Sequence, residues 1–151
     1  MPLAMLHAGL HTPAGRSLSR PYGLVCLAQA MALSGESATA LGLIDEAMGM
    51  LEALGRDQYE PEFYRIRGMA LREQKDLAES QAAFAEALRS ARGRQMKAYE
   101  LRAATDLARQ WGEQSRREEA RELLAPLYGW FTEGFDTADL RKAAVLLAEL
   151  S

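Results

Sequence analysis

A single cysteine, Cys26, stands in the 151-residue chain, so an intrachain disulfide is excluded and nothing points to an oxidising compartment. Aromatic residues make up only 7% of the chain, and β-branched residues are scarce, which argues against sheet. No apolar run approaches the roughly 18 residues that a membrane span requires. The first ten residues, MPLAMLHAGL, hold no Lys or Arg, whereas a secretory leader opens on basic residues. A cytoplasmic protein is the expectation. The two histidines, His7 and His11, are four apart, a spacing used in zinc sites, but such sites take three or four ligands. No metal and no other cofactor is expected.

What the chain does contain is alanine, leucine, glutamate and arginine, a mixture that favours helix. It is 48% hydrophobic and 26% charged, with net charge −3, as in an ordinary globular domain. Charge is uneven: residues 36–60 hold six acidic side chains and one basic, and residues 61–100 hold eight basic and six acidic. No half is basic enough for a nucleic-acid footprint.

The chain also repeats itself. The segment Tyr64–Leu88 has the same order of side-chain sizes as Leu24–Met48 before it and Ala104–Tyr128 after it, at one constant spacing. Ala28, Gly68 and Ala108 form a small column, and Met31, Leu71 and Trp111 a large one. Ala40, Ser80 and Ala120 are again small, followed by large Ile44, Phe84 and Leu124 and then Ala47, Ala87 and Leu127. Small residues let helices approach and large ones fill the space beside them.

Start and stop signals divide each copy into two helices. Pro21 and Pro61 suit a first helical turn. Gly35, Lys75 and Ser115 mark turns inside the copies. Asp76 with Glu79, and Ser115 with Glu118, are spaced as capping boxes, and Gly55 and Gly93 suit left-handed helix ends. The spacing predicts helices over 21–34, 37–54, 61–74, 77–92, 95–111, 116–131 and 138–150, the last capped by Thr137. An N-terminal segment, 1–20, is interrupted by Pro13 and Gly15 and reads as partly irregular or a remnant helix. Helix pairs cannot bury their apolar faces alone, so they must stack. The expected fold is all-α: an α-solenoid of three hairpins (21–54, 61–92, 95–131) with a C-terminal capping helix at 138–150.

This order of sizes resembles the tetratricopeptide repeat, whose middle copy is matched by Tyr64, Gly68, Leu71, Ser80, Phe84 and Ala87. The outer copies are degenerate, with Leu24 and Ala104 in place of the first aromatic, and the period is longer than the family's usual one. The resemblance implies a right-handed superhelix that binds protein or peptide on its concave face. The family's groove offsets, carried over by the repeat register, select Tyr22, Gln29, Arg65, Met69, Arg72, Arg102, Thr105 and Arg109. Four of these are arginines and none is acidic, so an acidic segment or a free carboxylate is the ligand expected first; the plain alternative is that the arginines balance Glu62, Glu73 and Glu113. A narrower resemblance, carried by ELRAATDLARQW and by YGWFTEGFDTADL, is to the C-terminal helical array of large bacterial signalling ATPases with cyclase-like or DNA-binding front ends. It implies a part in signalling or transcriptional regulation, or else a purely structural spacer or dimerisation segment, which makes a homodimer the second partner class.

Other candidate chemistry reduces to structure. Cys26, between Val25 and Leu27, is expected to be a buried core thiol. The basic run Arg89, Arg92, Arg94, Lys97 and Arg102 has only Tyr99 nearby for stacking on bases, so a solvated edge is expected rather than a nucleic-acid site. Tyr128, Trp130, Phe131 and Phe135 are expected to plug the end of the array, turned inward by a kink at Pro126. No Ser–His–acid set or glycine-rich phosphate loop can be assembled, so the expectation is a non-enzymatic protein.

Overall fold

The computed structural model describes residues 20–54 and 59–151. Among these residues there are seven helices and no strand: α1 (Arg20–Leu33), α2 (Ser37–Leu54), α3 (Glu60–Glu73), α4 (Leu77–Gly93), α5 (Lys97–Glu113), α6 (Arg117–Trp130) and α7 (Ala138–Leu150). The fold is all-α, and each boundary lies within two residues of its sequence-predicted position. No described helix is long and apolar enough to cross a membrane. The N-terminal segment with His7, His11, Pro13 and Gly15, and the turn at Gly55, lie outside the described residues.

Four turns of one design link these helices. After α1 the amide of Glu36 donates to the carbonyl of Met31 and that of Gly35 to Ala32, the two bonds of a Schellman motif. The same pair recurs as Asp76 to Leu71 with Lys75 to Arg72, as Met96 to Ala91 with Gln95 to Arg92, and as Arg116 to Trp111 with Ser115 to Gly112. Each motif needs one left-handed residue, and these are Gly35 (φ 88°), Lys75 (65°), Gln95 (56°) and Ser115 (64°). The left-handed residue after α4 is therefore Gln95 and not Gly93, which ends the helix itself.

Of the three expected side-chain caps, one forms as expected. Asp76 caps α4, its carboxylate accepting from the Glu79 amide at 3.3 Å. Ser115 is consumed by the turn, which moves the N-cap of α6 to Arg116; the guanidinium of Arg116 grips Glu119 instead. Thr137 occupies the N-cap of α7 without capping it, because its hydroxyl donates to the Gly134 carbonyl at 2.7 Å.

Each helix packs on its neighbours in the chain, and α1, α3, α5 and α7 also touch in succession. Burial follows most of the repeat columns: Ala28, Ala108, Ala40, Ser80, Ala120, Ile44, Phe84 and Leu124 are all fully buried, whereas in the first large column Met31 is buried and Leu71 and Trp111 are only half-buried. Gly68 explains its own identity, since a Cβ there would lie 2.6 Å from two ring carbons of Phe84. Ser80 joins three helices, donating to the Gly68 carbonyl at 2.7 Å and lying 3.0 Å from the side-chain oxygen of Gln110. Apolar burial falls into two runs: Leu24 to Ala70 on α1–α3, and Phe84 to Leu150 on α4–α7, with Met69 touching both.

Two expectations about packing are corrected. Cys26 is exposed: the inward arc of α1 holds Leu24, Leu27, Ala28 and Met31, and Cys26 falls outside it, beside the hydroxyl of Tyr22. The aromatic plug is only half formed. Tyr128 and Phe131 pack against the core, but Trp130 is 57% exposed and Phe135 46%. Helix α6 runs on through Pro126 to Trp130, and its inward arc of Ala120, Leu124 and Leu127 leaves Trp130 outside. Trp130 instead lies against Phe131, edge to face at 5.1 Å, with the Lys97 ammonium 5.5 Å from its ring centre.

Candidate functional site

Helices α1, α3, α5 and α7 together line a cleft of about 360 Å³. Its walls are Tyr22 and Gln29 from α1, Arg65 from α3, Arg102, Thr105 and Asp106 from α5, and Asp139 and Lys142 from α7. Five of the eight sequence-selected residues meet here: Tyr22, Gln29, Arg65, Arg102 and Thr105. Their helices follow one another at the repeat distance, so side chains one repeat apart become lateral neighbours.

The other three lie nearby but do not line the cleft. Met69 sits behind Arg65, its sulfur 3.4 Å from the guanidinium. Arg72 is ion-paired with Glu113. Arg109 reaches Asp106 at 3.4 Å and borders a separate cleft with Arg117 and Glu149.

The expectation of a cationic surface without acidic members is corrected. Arg65 is buried and held by Glu62 through Nε at 2.6 Å and Nη2 at 3.2 Å, while its Nη1 reaches Asp106 at 2.9 Å. Arg102 bridges Glu62 on α3, at 2.6 Å, and Asp139 on α7, at 2.7 Å. All four arginines thus have carboxylate partners, and most of these pairs join successive odd-numbered helices. Glu62 and Glu113 were visible as partners in the sequence. Asp106 and Asp139 were not, because the repeat offset selects positions and says nothing of where a long side chain reaches. Lys142 had a signal that went unused: it stands one repeat after Arg102.

These contacts set the charge states. Burial alone would raise the carboxyl of Glu62, but hydrogen bonds and charge from Arg65 and then Arg102 outweigh it and hold Glu62 below the ordinary carboxylate range. Burial likewise works against the charge on Arg65, yet Glu62 and Asp106 drive its affinity for the proton above the usual value. The cleft is a closed ionic lattice with Lys142 at its rim. Charge-assisted pairs of this kind are strong when well aligned, so the lattice is also a fastening between helices.

The basic edge resolves in the same way. Arg89 pairs with Glu86, Arg92 and Lys97 with Glu100, and Arg94 with Glu60. Each of these cations has a carboxylate within reach. Among the described residues no group of three or more metal-ligating side chains gathers. Comparison of the chain with protein-family models, with curated proteins and with solved structures finds no match.

Proposed function

We propose that the chain is a non-catalytic, tetratricopeptide-like binding module. In this reading α1–α2, α3–α4 and α5–α6 are three helix pairs stacked in a right-handed superhelix, and α7 closes the far end. A protein or peptide segment lies in the cleft formed by the odd-numbered helices. One observation carries the proposal: five residues chosen by the family's groove offsets and the repeat register, drawn from three different helices, line one cleft. The ionic lattice supports a binding role over a catalytic one. Glu62 is held firmly ionised, whereas a general acid at neutral pH needs a raised carboxyl. The narrower resemblance of the C-terminal half supports a setting in a bacterial signalling or transcriptional regulator.

An acidic segment remains the ligand to try first, on revised grounds. Arg65 and Arg102 are already engaged, so the cation open to a ligand carboxylate is Lys142, with Arg102 beside it. The test titrates acidic, neutral and basic peptides against the wild type, Lys142→Glu, and an Arg72→Ala, Arg109→Ala double variant. The expected outcome is that acidic peptides bind, Lys142→Glu weakens them at least tenfold, and the double variant has little effect. Preferential capture of basic peptides, or indifference to Lys142→Glu, refutes the acidic-ligand reading; no binding by any peptide refutes the cleft as a peptide site.

A further inference from the structure

Helix α7 has an open face where the corresponding helices before it are covered. By the repeat register, Arg141, Ala144, Val145 and Ala148 stand where α5 has Leu101, Ala104, Thr105 and Ala108 and α3 has Pro61, Tyr64, Arg65 and Gly68. All four positions are buried in α5, and in α3 three are buried and Tyr64 is half-buried. The ring of Phe84 from the following helix lies against Gly68. In α7, by contrast, Arg141, Val145 and Ala148 are exposed and Ala144 is only partly covered, with Val145 at 59%. Its other face is seated as in the earlier helices. Ala143 and Leu150 are buried just as Ala103 and Gln110, and Phe63 and Ala70, are buried.

The charges on this face indicate what covers it. Arg141, Val145, Ala148 and Glu149 are all exposed and form one strip at helical spacing, with Lys142 at its edge on the rim of the central cleft and Glu149 also bordering the cleft that holds Arg109 and Arg117. Among the described residues, Arg141, Lys142 and Glu149 make no ion pair, in contrast to the arginines of the cleft. Arg141 and Glu149 are each four residues from Val145, on opposite sides. The strip is therefore self-complementary: two α7 helices laid antiparallel about a twofold axis through Val145 set each Arg141 against Glu149 of the other copy. Val145 meets its own symmetry mate, and Ala148 lets the backbones approach. A twofold contact of this kind is isologous, each residue pair occurring twice.

We infer that the exposed face of α7 is a homodimerisation surface, occupied by α7 of a second copy in antiparallel register centred on Val145. Two short helices bury less than the roughly 1,200 Å² of a standard stable interface, so the dimer is weak and concentration-dependent. Sedimentation of the full chain from about 5 to 500 μM, a range suited to weak contacts of this size, should show dimer growing with concentration. Arg141→Glu and Glu149→Arg should each weaken association tenfold or more, because each creates two like-charge contacts. The double variant Arg141→Glu, Glu149→Arg should restore it, and an equimolar mixture of the two single variants should form a heterodimer. All these sites are exposed, and helical circular dichroism confirms that each variant is folded. A chain that stays monomeric throughout overturns the inference. So does a dimer indifferent to the single changes, or one that neither the swap nor the mixture restores.

Discussion

Gly68→Ala and Gly49→Ala are the same chemical change in helical positions, and they should move stability in opposite directions. In an unobstructed helix the exchange gains about 0.5–1 kcal/mol, because alanine loses less backbone freedom on folding. Gly49, and equally Gly42, has nothing within 4 Å of where a Cβ would stand, so the gain should appear in full. At Gly68 the new methyl would lie 2.6 Å from Cδ1 and Cε1 of Phe84 and 3.0 Å from Cζ. Comfortable carbon contacts begin at about 3.5 Å, so the ring must retreat by about 1 Å. Phe84 is fully buried and has nowhere to go without displacing Ala87 or the α5 side of the core. Overpacking of this kind costs about 1–3 kcal/mol, which set against the helical gain of about 0.5–1 kcal/mol leaves a net loss of up to about 2.5 kcal/mol. For a chain of this size that lowers the melting temperature by about 2–4 °C per kcal/mol. Urea and thermal unfolding of the two variants, with Phe84→Leu alone and combined with Gly68→Ala, measures both the sign and the coupling. Removing the ring should relieve the clash, so the double variant should be less unstable than the sum of its parts by about 1 kcal/mol or more. If Gly68→Ala stabilises as Gly49→Ala does, Phe84 does not pack on the small column and the repeat register is wrong.

Two further outcomes follow from the turns and the ionic lattice. Lys75, Gln95 and Ser115 hold left-handed backbone at about 1–2 kcal/mol each for a side-chain-bearing residue. Glycine removes that strain but gives back about 0.5–1 kcal/mol in unfolded-state freedom, so each change to Gly should raise stability by up to about 1 kcal/mol in urea unfolding. Destabilisation by all three would show that these side chains contribute more than the turn. Glu62 titrates below its ordinary range when folded; its stabilisation is complete above the unfolded value of about 4.3 and is lost as pH falls through the lower folded value. Glu62→Gln should cost about 3 kcal/mol at pH 7, at the lower end for a broken buried pair, and less at an acid pH below the folded-state titration of Glu62. An equal cost at both pH values would mean that shape, not charge, is what Glu62 supplies.

Local signals and spacing were enough to place the helices, because the small and large columns are requirements of packing and show directly in the sequence. Other features were less legible, each for a physical reason. Nearly every side of α1 is apolar or small, so its pattern does not specify a face, and the expectation of an inward Cys26 had only its apolar neighbours Val25 and Leu27 behind it. Gly93 drew attention as a left-handed residue, but the position of such a residue depends on where the last helical bond closes. That geometry falls on Gln95, midway in sequence between Lys75 and Ser115. The acidic half of the cleft was hidden because Asp106 and Asp139 take part only through reach, across 41 and 37 positions. The most informative omission concerns α7. A capping helix needs only one apolar face, and reading α7 as a cap ends the register at α6. The same offset carried one step further leads from Arg102 to Lys142, on the rim of the cleft, and from Ala108 to Ala148, exposed where its predecessors are covered. A helix that keeps the groove position and the small-residue position of its predecessors carries more than a cap requires. The exposed strip of Arg141, Val145, Ala148 and Glu149 is that excess.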